Sequence, residues 1–275
     1  GWVLAALVVG ALFAGSSTLF VRLNELGPIT SAFYRVFLAL PVLWFAMGWE
    51  TRAAATVPPR ALAPCDYGML ALAGLFFAGD LFFWHLAIMN TAVANATLLA
   101  TLAPVYVTAI LFVLFRERVR PLFLGGTALA VAGAALLMGD SFAFRPDRLL
   151  GGVYGLITGL FLAGYMVTVG RLRRTVGIGT GTLMFWSTLA TAAALLPLAL
   201  VLEDRMLAAT VFGWTMLAAL AVISHVAGSV GLIMEVVAAA VLGWAFLNEP
   251  LAPLQWLGAA VVVAGVVVAR GGSRT

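Results

Sequence analysis

Asp80, Trp84 and His85 fall within six consecutive positions, and the first two are four apart, so they share one face of a helix. A carboxylate, an indole and an imidazole so grouped suit a zwitterionic ligand with an apolar side chain. The carboxylate meets an ammonium group and the rings meet the side chain. The same residues also fit a plainer role, in which Asp80 caps or pairs near a helix end and Trp84 joins an interfacial aromatic belt. His85 could report protons, or donate a hydrogen bond to a neighbouring helix.

Three more ionisable groups stand inside apolar stretches, where charge is costly and by default faces a cavity or a partner. Arg35 can snorkel and serve topology or packing, or its guanidinium can bind a carboxylate. Glu235, followed by Val236, Val237 and Ala238, is a candidate for proton coupling or a group neutralised by a partner. His225 reads as interfacial. Asn95, Leu99, Ala103 and Tyr106 recur at steps of three or four and share a face with polar ends. Gly155, Gly159, Ala163 and Met166 form a small-residue stripe suited to close packing, with Tyr165 beside it. Tyr165 and Trp186 are further candidates for ligand contact.

Other chemistries lack their residues. The single cysteine, Cys65, excludes an internal disulfide and a cysteine-built metal site. No HExxH, GxSxG or paired-carboxylate arrangement occurs. Gly151-Gly152 and Gly177-Ile178-Gly179 read as turn and helix-start signals without the strand-turn-helix setting of a nucleotide loop. The expectation is a protein that is not an enzyme, with no metal and no cofactor.

The elements that must position these residues are membrane helices. The chain is 64% hydrophobic and 9% charged, with a mean hydropathy of +1.11, far from the composition of soluble domains. Apolar stretches predict ten spans near 2–21, 29–48, 67–88, 92–115, 121–138, 150–169, 180–202, 211–228, 230–247 and 252–269. The first stretch lacks a basic flank and a cleavage pattern and reads as a span. All fifteen basic residues are Arg. With a cytoplasmic N-terminus, ten lie in inside segments and four in outside ones, Arg35 being within a span. That asymmetry predicts both termini in the cytoplasm and gives no argument for a nucleic-acid partner.

Two halves repeat. Gly10, Gly15, Arg22 and Leu23 match Gly159, Gly164, Arg171 and Leu172 at an offset of 149. Glu117, Pro121, Gly126 and Gly133 match Glu249, Pro253, Gly258 and Gly265 at an offset of 132. Halves of five spans each must sit in opposite orientations, the inverted-repeat plan of many secondary transporters. The expected fold is all-α integral membrane, with repeats over 1–139 and 150–270. Residues 67–115 give the third and fourth spans 49 residues, whereas 211–247 give the eighth and ninth only 37. This predicts a segment missing near Gly228-Ser229, or else a short hairpin or one continuous tilted helix; a single helix would put Arg270 and Arg274 outside, against the charge asymmetry.

The pattern resembles the EamA-type members of the drug/metabolite transporter superfamily over nearly the whole chain. The resemblance rests on Phe33-Tyr34-Arg35, Asn95 with Pro104, Arg116-Glu117-Arg118, Asn248-Glu249-Pro250 and the Gly126/Gly133 and Gly258/Gly265 pairs. One departure is that Val236 stands thirteen before Glu249 where Pro104 stands thirteen before Glu117. The resemblance implies ten helices around a central cavity in a bacterial cytoplasmic membrane, as a monomer or weak homodimer. It implies export of small metabolites, amino acids above all, driven by an ion gradient or the substrate's own.

The expected activity is secondary export of neutral or aromatic amino acids by alternating access. The substrate would lie against Asp80, Trp84, His85, Asn95 and Tyr106, with Arg35 or Glu235 as charge partner. A multidrug or nucleotide-sugar carrier is the alternative within transport. Arg35 as the lone intramembrane cation counts against nucleotide sugars. From another class, an intramembrane enzyme or helical interaction protein would need a metal or nucleophile cluster, or a soluble surface.

Overall fold

The computed structural model describes residues 21, 25–53, 62–91, 99, 102–116, 121–138, 146–227 and single positions between 253 and 268. Among the described residues there are helices and no strands. They are α1 (Pro28–Phe37), α2 (Leu40–Ala53), α3 (Pro64–Asn90), α4 (Ala103–Phe115), α5 (Pro121–Met138), α6 (Pro146–Val176), α7 (Thr180–Leu202) and α8 (Val211–Ala227). Among the described residues four stretches are long and apolar enough to cross a membrane: Pro28–Arg52, Pro64–Asn90, Leu150–Val176 and Thr180–Leu202. Asn95, Glu235 and the Gly228-Ser229 junction lie outside the described residues. His225 lies on the described backbone of α8.

Three expectations shift. The second apolar stretch is interrupted, because α1 closes at Phe37 and α2 opens at Leu40. Pro41 has no N–H to offer the carbonyl of Phe37 four residues back, which favours a break there. Gly151-Gly152 is not a turn, since α6 begins five residues earlier at Pro146. A Cβ at Gly151 would come within 2.7 Å of the Asn90 carbonyl carbon and Thr91 Cβ, so the missing side chain serves close approach. The small-residue stripe of α6 packs on the fourth span at Gly155, against Leu99, and at Ala163, with Ala103. It stops short of Met166, which is exposed.

Helix directions follow from which ends meet. α6 runs antiparallel to α3: Gly151 lies on Asn90, and Gly164 lies on Phe76. Phe161 fills the slot over Gly79 and Phe76 the slot over Gly164, with the two rings edge to face at 6.3 Å. α7 runs parallel to α3, Leu70 clustering with Leu183 and Leu81 with Leu195 further along. A Cβ at Gly74 would reach 2.5 Å from that of Ala190, and Thr191 Oγ1 donates to the Gly74 carbonyl at 3.0 Å. In lipid, where apolar contact between helices carries no solvent advantage, such close backbone approach and interhelical hydrogen bonding supply the cohesion.

α7 is antiparallel to α1 and α2, and glutamates bind the pair at both ends. At one face, the Glu203 carboxylate after α7 accepts the N–H groups of Ile29 (2.7 Å) and Thr30 (3.0 Å), capping α1. At the other, Glu50 near the end of α2 accepts those of Gly181 (2.8 Å) and Thr182 (3.2 Å), capping α7. The free N–H groups and positive dipole end of a helix favour a carboxylate. Room for each comes from a glycine: a Cβ on Gly27 would run into the Glu203 carboxylate, and one on Gly179 into that of Glu50.

Candidate functional site

α3 presents Asp80, Trp84 and His85 together, all buried, at 7%, 6% and 0% exposure. At 1.5 Å per residue Asp80 lies about 15 Å from the Asn90 end of a helix about 40 Å long, well inside a hydrocarbon layer about 30 Å thick. All three therefore lie on one helix, inside the apolar part of its length.

Arg35 comes to this cluster from α1. Its guanidinium carbon stands 5.1 Å from the Trp84 ring centroid, a cation–π contact. The helix break at Phe37 explains why a cation sits there. It leaves Arg35 in the last turn of α1, where the unpaired carbonyl end of the helix favours positive charge. Trp84 and His85 meet edge to face at 5.1 Å, and Arg35 acts electrostatically on His85.

His85 has a defined polarity. Its Nδ1 lies 2.7 Å from the Leu81 carbonyl oxygen, an acceptor, so Nδ1 carries a proton, and in the neutral ring Nε2 is left as an acceptor. Nε2 is buried without a hydrogen-bond partner among the described residues, as are Ser31 Oγ and Thr158 Oγ1. A buried acceptor of this kind favours a group that brings an N–H or O–H.

Tyr165 of α6 extends the site. It stacks on Phe77, three residues before Asp80 on α3, at 5.0 Å. Tyr106 of α4 and Tyr165 both pack against the cluster of Ala103, Leu162 and Ala163. Trp186 is not brought in. It meets Tyr67 edge to face at 5.3 Å, and Tyr67 precedes Trp84 by seventeen positions, about 25 Å along α3. Among the described residues no group of three or more His, Cys, Asp or Glu could hold a metal ion.

Glu25, Glu50 and Glu203 carry no local sequence signal of a role, because charged residues at span ends are common. A signal for two of them existed. Gly27, Thr30 and Phe33 match Gly179, Thr182 and Phe185 at an offset of 152, and Glu50 matches Glu203 at 153.

Known proteins resemble this chain at several levels. A transporter from Archaeoglobus fulgidus, uncharacterized by its name, is 30% identical over 167 residues, 58% of this chain. The match spans 55% of that protein's own length. A crystal structure superposes with a TM-score of 0.69 over 99% of this chain and 98% of that one, at 21% identity, a likeness of fold alone. The model of the EamA-like transporter family matches residues 1–139. Apolar spanning helices, a buried polar cluster inside them and this match agree: the chain belongs to the EamA-like transporter family, whose members are multi-pass membrane transporters of the drug/metabolite superfamily and not enzymes.

Proposed function

We propose that the protein is a secondary carrier that exports small amphipathic metabolites, neutral or aromatic amino acids in particular, by alternating access between two inverted five-helix repeats. The observation that carries this reading is buried Asp80, Trp84 and His85 with half-buried Arg35 over the Trp84 ring, a set that offers both charge signs, an aromatic face and an unsatisfied acceptor. An ammonium group would meet Asp80 and His85 Nε2, a carboxylate would meet Arg35, and the side chain would lie on Trp84.

Tyr106 and Tyr165 would border the substrate; Asn95 and Glu235, in spans 4 and 9, keep their assigned roles as polar contact and proton-coupling group. Both termini are assigned to the cytoplasm of a bacterial cell and the substrate site to the membrane interior. The glutamate caps support the inverted plan, because equivalent positions of the two halves exchange the same contact at opposite faces. The test is release of labelled phenylalanine, leucine, lysine or glutamate from proteoliposomes, with and without a pH step. Release of the neutral pair above protein-free vesicles is expected, and no release of any of the four would overturn the amino-acid reading.

A further inference from the structure

The caps between α7 and α1–α2 are unequal. At the Glu203 face a second carboxylate joins: Glu25 accepts the Ala209 N–H at 3.2 Å and the Thr210 hydroxyl, just before α8. The Thr30 hydroxyl of the same face donates to the Arg205 carbonyl at 3.4 Å. The segments at 25–30 and 203–210 therefore exchange carboxylates, one arm in each direction. At the Glu50 face the position 152 after Glu25 is Gly177, which has no side chain to offer and turns with a φ of +65°.

Between the two ends the pair is sealed by Leu26, Ile29, Phe33, Val36, Leu195 and Ala199. Apolar packing is non-directional, so the directional bonds at the two ends are what distinguish one closed end from the other. A carrier must part its halves at one face while they stay joined at the other, and these bonds join residues of different halves at each face.

We propose that the glutamate caps are the two gates of the transport cycle, and that the Glu25–Glu203 face, with two arms against one, is the face held shut at rest. The proposal rests on the alternating-access reading but on no particular substrate. Loss of a helix cap shifts an equilibrium on the order of five- to tenfold, enough to move the balance between faces and small enough to be undone within a cycle.

The test reads opening directly. Ser31 is fully buried one residue past the Glu203 cap, and Cys65 is the chain's one cysteine. Ser31→Cys in a Cys65→Ala background gives a single thiol, which a membrane-impermeant maleimide reaches only when the Glu203 face opens. Because labelling needs no substrate, a chain that carries some other solute still answers. Glu203→Ala is expected to raise the labelling rate from that face about tenfold, and Glu50→Ala to lower it, since weakening the opposite gate draws the protein toward the other open state. Glu203→Gln, which keeps one acceptor oxygen, is expected between wild type and Glu203→Ala and carries the test if the alanine variant does not fold. Unchanged labelling in all three, or a rise in both Glu203→Ala and Glu50→Ala, would show static helix caps and overturn the proposal.

Discussion

The Arg35 guanidinium lies over the Trp84 ring at 5.1 Å, joining the end of α1 to the buried face of α3. Trp84 is buried and Arg35 half-buried, so the contact stands above the cation–π energies of exposed sites. Trp84→Leu and Arg35→Gln are each expected to lower the thermal midpoint of the detergent-solubilised protein. A double-mutant cycle on those variants should return a coupling of about 1–2 kcal/mol. A coupling near zero would leave Trp84 as packing alone.

Gly27→Ala reports on the Glu203 cap without touching the glutamate. The new Cβ displaces the carboxylate from the Ile29 and Thr30 N–H groups, so the loss should be about 1–2 kcal/mol, the value of a helix cap. In a Glu203→Ala background the same substitution should cost almost nothing, because the collision and the cap vanish together. Denaturation of the four proteins measures the difference, and Gly179→Ala with Glu50→Ala should repeat it at the other face.

His85→Phe is expected to separate stability from function. Phenylalanine, whose ring is larger than imidazole, removes a buried acceptor that has no partner among the described residues and loses the Nδ1 donation to Leu81. The two effects oppose, so stability should change by no more than about 1 kcal/mol while transport falls at least tenfold. A His85→Phe variant with full transport would remove His85 from the site.

The sequence made the membrane character, four long apolar helices and the place of Asp80, Trp84 and His85 within one of them legible, because hydropathy and the cost of intramembrane charge are local properties. What escaped it depends on contacts between distant residues. Glu203 and Ile29 are 174 positions apart, and nothing local marks a loop glutamate as a cap. The break after Phe37 was written in Pro41 but masked by an unbroken run of apolar residues. Trp186 shares its residue type with Trp84, yet the direction of α7 carries it to the Tyr67 end of α3.

The separation of those two tryptophans gives the most direct test of the transport account. Efflux of labelled phenylalanine from proteoliposomes is to be measured for wild type, Trp84→Ala and Trp186→Ala at equal amounts of folded protein. The account predicts that Trp84→Ala loses efflux at least tenfold, through loss of a stacking face and of the Arg35 contact, while Trp186→Ala stays within about twofold of wild type. Equal efflux from all three, or loss confined to Trp186→Ala, would contradict the placement of the substrate against Arg35, Asp80, Trp84 and His85.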